Sequence, residues 1–152
     1  MKLAKAFAAS SLFLLLAASG LHAACSTASV AGRFGFTTTG SIPAVGQVAA
    51  TGIFTQDVSG NITGTQTRSL NGSVADETFT GTATVNSDCT GTDTIQVFQD
   101  GSLVRTTTLH VVYDDKGREA RAIFTSLVPP NGVSLASIIT IEARKLFSRE
   151  AD

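Results

Sequence analysis

From Thr78 to Val85 the chain alternates without a fault, with Thr78, Thr80, Thr82 and Thr84 on one parity and Phe79, Gly81, Ala83 and Val85 on the other. Successive side chains of an extended backbone point to opposite faces, so this period of two reads as a β-strand with one hydroxyl face in water and one small apolar face in a core. Thr63, Thr65, Thr67 and Ser69 repeat the outer pattern one segment earlier. All 21 threonines of the 152 residues lie after residue 26, and no segment beyond that point carries a helical period.

Turn signals recur roughly every 10 to 15 residues. They are Ser59-Gly60-Asn61, Asn71-Gly72, Asp88-Cys89-Thr90-Gly91, Asp100-Gly101, Asp114-Asp115-Lys116-Gly117 and Pro129-Pro130-Asn131-Gly132. Asn-Gly and Asp-Gly accept positive φ cheaply, which two-residue hairpins require. The punctuation predicts eight strands at about 33–39, 47–56, 62–70, 77–86, 92–99, 102–113, 118–128 and 133–146. The last has apolar residues on both parities (Leu135, Ile139 and Ile141 against Ala136 and Ile138), which predicts a cover on its outer face.

An open sheet of eight strands leaves two unpaired edges, a hazard that closure removes. The serial hairpin spacing, without a long crossover, favours an all-β fold: a single antiparallel up-and-down β-barrel over a two-sheet sandwich. Glycines inside the strands (Gly35, Gly52, Gly64, Gly81) suit the tight coiling of a small barrel, and Ala50, Gly52, Gly64, Gly81 and Ala83 on the expected inner faces leave room for an interior cavity. An outer-membrane barrel fits less well, because threonine faces would meet lipid and aromatic girdles are missing.

Residues 1–23 read as a secretory signal peptide. Lys2 and Lys5 supply the positive start, Ala6 to Ala18 the apolar run, and Leu21-His22-Ala23 the small-residue cut. The run is too short to cross a bilayer. A lipoprotein signal would need an aliphatic residue three before Cys25, where His22 stands, so cleavage near Ala23 is favoured over lipid attachment. The expected product is a single barrel domain, 24–152, secreted or periplasmic, with no transmembrane span. Two cysteines in an exported chain predict one disulfide, Cys25 to Cys89, with the N-terminal segment drawn across one barrel end as a plug or tether. With 11 basic and 12 acidic residues dispersed along the chain, no electrostatic footprint for nucleic acid exists.

Gly32-Arg33-Phe34-Gly35-Phe36, Asp57-Val58-Ser59-Gly60-Asn61-Ile62-Thr63-Gly64, Asn71-Gly72 and Asn86-Ser87-Asp88-Cys89-Thr90-Gly91-Thr92 resemble a group of small exported microbial proteins of unassigned activity. Their fold is similar to the allene oxide cyclase and dirigent barrel, a relative of the lipocalins. The resemblance spans nearly the whole mature chain and rests on turns and glycines, so it implies a fold and no reaction. No position matches the catalytic residues of allene oxide cyclase. Dirigent and cyclase barrels commonly form trimers, which raises a homo-oligomer as an expectation.

Catalytic motifs are absent: no Gly-x-Ser-x-Gly elbow, phosphate loop or His-Glu-x-x-His helix occurs. After the cut one histidine remains, His110, predicted on the outward parity of strand six, and a multi-histidine metal site is excluded. Asp57, Asp88 and Asp93 lie in or near loops without calcium-loop spacing and read as turn caps. Neither metal nor cofactor is expected.

The informative charges sit inside strands. By parity Glu77 shares a face with Phe79, Ala83 and Val85; Arg105 with Leu109, Val111 and Tyr113; Arg121 with Ile123 and Leu127. A buried charge must be paired, so a Glu77/Arg105/Arg121 cluster at one barrel mouth is physically plausible, with Phe79 and Tyr113 on the same lining, as candidate ligand-contacting residues. The reading the sequence favours sends each long side chain to solvent near a strand end, since Arg and Glu stems snorkel easily. Three functions follow from the barrel: an interior that binds a small apolar or amphipathic ligand, a cyclase or isomerase using the same pocket, or a solidly packed interaction module.

Overall fold

The computed structural model describes residues 24–147; the expected export signal, 1–23, lies outside them. Eight strands run in sequence: β1 (Gly32–Ile42), β2 (Gly46–Gln56), β3 (Asn61–Leu70), β4 (Ser73–Val85), β5 (Thr90–Gln99), β6 (Ser102–Asp114), β7 (Glu119–Val128) and β8 (Ile138–Lys145). Each pairs antiparallel with the next, and β8 returns to β1 over the rungs Phe34↔Lys145 to Ser41↔Ile138, closing the barrel. The threonine parity faces outward. Thr80 of β4 stands opposite Thr63 of β3, and Thr82 opposite Thr94 of β5, and all four are exposed while Phe79 and Ala83 are buried.

Asn71 and Gly72 have φ of 49° and 88°, and Asp100 and Gly101 50° and 77°. Both residues of each pair lie in the left-handed region that a tight hairpin between right-twisted strands demands. Within the strands, glycine makes room for its neighbours across the ladder. Gly64 is paired with Phe79, whose ring covers it so closely that a Cβ there would strike the ring. The glycine space is therefore filled by aromatic bulk rather than left empty.

Two ends of the barrel differ. At one, which we call the floor, a short helix α1 (Thr27–Val30) starts from a Ser26 cap, where Ser26 Oγ accepts from the Ser29 N–H at 3.2 Å, and inserts Val30 into the core at 1% exposure. Cys25 and Cys89 form a disulfide, and the Cys25 N–H donates to Ser87 O at 3.3 Å, so the N-terminal segment is tied across this end as the sequence predicts. At the other end, the mouth, the connections are the β1–β2 turn, the two tight hairpins and the longer 129–137 segment.

Strand eight departs from expectation. It begins at Ile138 rather than 133, and its ladder with β7 spans only Glu119↔Arg144 to Ile123↔Thr140. The stretch before it runs as coil, with the Leu135 N–H donating to Leu127 O at 2.8 Å and Leu135 packing on a mouth cluster of Ile42, Val48, Leu127 and Ile139. The two-sided apolar pattern thus arose from merging a loop with a strand. Ile138, at 68% exposure, is left uncovered among the described residues.

The disulfide joins residues 64 apart, for which chain entropy gives a contribution of about 4 kcal/mol. Replacing both cysteines with serine should lower the urea midpoint by an amount corresponding to several kilocalories per mole without altering the far-ultraviolet circular dichroism. An unchanged midpoint would show that α1 holds the floor without its covalent tie.

Candidate functional site

The barrel encloses a cavity of about 300 Å³. One wall is aromatic: Phe36 packs edge-on to Phe79 with centroids 5.9 Å apart and tilts against Phe54 at 5.8 Å, while Phe54 stacks on Phe34 at 4.9 Å. Ile62, Ile95, Leu109 and Val111 continue the lining, and small residues Ala50, Ala120, Ala122 and Ala143 provide the open volume. Gly52, Gly64, Gly81 and Ala83 take no part in it, contrary to the expectation that they would open the cavity.

Toward the mouth the lining becomes charged. Glu77 of β4 points inward with its side chain fully buried. Its Oε1 accepts from Arg68 Nε at 2.7 Å and Arg105 Nη1 at 2.8 Å, and its Oε2 from Gln66 Nε2 and Arg105 Nη2, both at 2.7 Å. Arg105 thus grips the carboxylate with two parallel bonds, the strong geometry for this pair. The arginine side chains are only 13% and 16% exposed, so this is an interior cluster rather than a surface pair. Burial alone would raise the Glu77 carboxyl, but the hydrogen bonds and charge of Arg105, with the bonds from Arg68 and Gln66, outweigh it and hold it at about 2. Arg68 Nη1 remains buried without a hydrogen-bond partner among the described residues.

Of the five residues predicted to line a ligand site, Glu77, Phe79, Arg105 and Tyr113 all face the cavity. Arg121 does not. It lies on the outer wall at 63% side-chain exposure and pairs with Asp114 at 2.6 Å. The cause is a bulge: β6 pairs Thr108 with Ser126 but Leu109 with Phe124, so Thr125 is an extra residue. Ala120, Ala122 and Phe124 face inward before it and Leu127 after it, whereas parity counted back from Leu127 places Arg121 wrongly inside. Its expected place beside Glu77 is taken by Arg68.

Arg68 and Gln66 were legible from the alternation itself, since outward Thr63, Thr65 and Thr67 leave them inward. Asp93 is the larger omission. It is no loop ligand but the inward residue between Thr92 and Thr94 on β5, near the floor and 8% exposed. Among the described residues its Oδ1 has no hydrogen-bond partner, and burial raises its carboxyl from 3.8 to about 7. Nearby on the floor the Tyr113 hydroxyl donates to Gln56 Oε1 at 3.0 Å across the barrel. Burial, and secondarily the charge of Asp93, pushes the Tyr113 phenol up, opposed by the Gln56 bond. His110 is exposed on the outer wall. Asp57 and Asp88 cap their own turns: Asp57 Oδ1 accepts from the Ser59 and Asn61 N–H groups at 2.8 and 2.9 Å, and Asp88 Oδ1 from the Thr90 N–H at 3.0 Å.

No protein-family model matches the chain, and a search of curated proteins finds no match. Among solved structures the chain is similar to a redesigned β-barrel, mFAP1, bound to DFHBI, with a TM-score of 0.54 and 15% identity over 79% of this chain and 98% of that one. At this identity the likeness concerns the fold, a barrel.

The two interior carboxylates give stability opposite pH slopes. For Glu77, 4.5 unfolded and about 2 folded, the stabilisation is complete above pH 4.5 and is lost as pH falls toward 2. For Asp93 the folded barrel keeps a proton that the unfolded chain releases between 3.8 and about 7, so stability falls as pH rises through that window. The rise corresponds to about 4 kcal/mol. Asp93→Asn should therefore raise stability by about 2–4 kcal/mol at pH 8 and change it little near pH 4, as read from urea titrations. Glu77→Ala, which strands two arginines, should cost about 3–5 kcal/mol at pH 7. Equal effects of Asp93→Asn at both pH values would mean that the carboxyl is not desolvated.

Proposed function

We propose that this chain is an exported carrier or receptor for a small, largely apolar molecule held inside the barrel. The observation that carries the reading is the cavity: about 300 Å³, walled by Phe36, Phe54, Phe79, Ile95 and Leu109, with its charged groups at the two ends, Arg68, Glu77 and Arg105 at the mouth and Asp93 near the floor. This is the lower end of the volume range of small-molecule pockets, and an apolar wall with few fixed polar groups is their usual chemistry. A closed eight-strand barrel of this kind has room for side chains or for one small ligand. The similar redesigned barrel, mFAP1, was solved bound to DFHBI, which supports a barrel of this kind as a holder of a small molecule.

Two features support export with residues 1–23 as the cleaved signal and 24–152 as the working domain. A disulfide fits an oxidising compartment. The threonine-rich outer wall is suited to water. In the occupied barrel, Phe79 and the aromatic wall would hold the apolar body, and Arg68 and Arg105 would receive an acceptor group at the mouth, oriented by Glu77. The gap in the β7–β8 ladder beside Leu127 and Leu135 is the route by which a ligand would pass, since fewer hydrogen bonds must break there. Nothing in the cavity favours the cyclase or isomerase reading over simple binding, and a cavity of this size weighs against a barrel packed solid.

A lipophilic fluorescent probe titrated into the folded, disulfide-bonded protein should bind saturably at one site per chain. Ala122→Phe adds a ring to the cavity wall and should weaken that binding at least tenfold while leaving the melting temperature within a few degrees. Saturable binding unaffected by Ala122→Phe would place the probe outside the barrel; absence of saturable binding would end the carrier reading.

A further inference from the structure

The titratable side chains on the cavity wall are Arg68, Glu77, Asp93, Arg105 and Tyr113. The first, second and fourth neutralise one another at the mouth, in a cluster that leaves one net positive charge there. Asp93 is the single charged side chain of the lining near the floor, where Gln56 Nε2 is likewise buried and makes no hydrogen bond to it among the described residues. Its ladder neighbours are Ala83 on β4 and Leu109 on β6, neither of which can donate a side-chain hydrogen bond, and the nearby phenol of Tyr113 is directed to Gln56. A buried acid with an unpartnered oxygen facing an apolar cavity is costly unless something supplies the partner.

We infer that Asp93 is the anchoring residue for a basic nitrogen on the ligand, so that the barrel selects lipophilic amines. This rests on the ligand-binding reading and adds the chemical class. A cation meets both requirements of the site at once: its N–H groups satisfy the free Oδ1, and its charge offsets the desolvation that disfavours the carboxylate. A ligand offering only an acceptor would leave the ionised acid unpaired. The aromatic faces of Phe36, Phe54 and Phe79 are compatible with a cation nearby. The net positive mouth excludes an amine from settling there, which leaves the floor as its place and orients the apolar tail toward the opening.

Calorimetric titration of the intact disulfide-bonded domain with n-octylamine and n-octanol distinguishes the two levels of the reading. Octylamine stays protonated across the range, whereas Asp93 ionises in it, so its affinity should rise about 30-fold between pH 5.5 and 8.5 while that of octanol stays nearly flat. At pH 6, amine binding should release close to one proton, seen as a dependence of the heat on buffer ionisation enthalpy in the unmutated protein. Asp93→Asn should bring octylamine down to the affinity of octanol and abolish its pH dependence. Octanol binding without a pH-dependent advantage or proton release for octylamine would overturn the anchor and leave the carrier reading standing. Binding of neither probe would overturn both.

Discussion

The ladder between β1 and β8 is the contact on which everything else in this molecule depends. Once Phe34 to Ser41 pairs with Lys145 to Ile138, the sheet closes with only the end of β7 beyond Ile123 left unpaired with β8, and the residues of each strand are assigned to water or to the interior. Closure explains why the outer wall carries threonine in paired ranks: a hydroxyl on a β-branched side chain fits both the pleated backbone and the solvent. It also fixes a severe condition inside, where a polar group must find its partner within the barrel or remain without one.

Among the described residues the interior comes close to that condition at the mouth, where only Arg68 Nη1 lacks a partner, and leaves it open at the floor, where Asp93 Oδ1 and Gln56 Nε2 lack one. Glu77 would be expensive alone, but four hydrogen bonds from three side chains convert it into the hub that holds β3, β4 and β6 in register at the mouth. Arg68 and Arg105 keep their stems along apolar wall and their heads together, so the charge cluster and the cavity share residues without competing for space. Asp93 has no such company. Replacing it with an apolar residue of similar size would make a more stable protein on the energetics of burial alone, so Asp93 does not hold the barrel together, and a site of this kind is where the proposed anchor is placed.

Much of this was legible in the alternation of the chain, and the failures have one physical source. Eight strands, the hairpin turns at Asn71-Gly72 and Asp100-Gly101, the Cys25–Cys89 tie and the inward direction of Glu77 and Arg105 all follow from local rules: period, turn chemistry and compartment. Arg121 was misplaced because a bulge at Thr125 inserts one residue, and parity is destroyed by any single insertion; nothing local marks Thr125 as the extra residue. Strand eight was read as starting five residues too early because Leu135 packs on the mouth cluster from a loop, and apolar burial alone does not distinguish loop from strand. Asp93 sat in full view between two outward threonines. An aspartate close after a turn is ordinarily a cap, and only the closed barrel shows that its parity leads inside.

The floor and the mouth are therefore different kinds of boundary. The floor is covered by α1, with Val30 in the core and the disulfide holding it against the β4–β5 loop, so no exchange with solvent is required there. The mouth is framed by short turns and by the one long connection, 129–137, beside the shortest ladder of the barrel. Local opening favours segments with few hydrogen bonds and few buried contacts. For the ligand proposed above, a cavity sealed at the acid end and breathable at the arginine end would impose a direction: entry at the mouth past Arg68 and Arg105, with the part that reaches Asp93 being the part that has left water completely. Specificity would then be decided deepest in the barrel, where a mismatch cannot be relieved by solvent and an unpaired carboxyl weighs most.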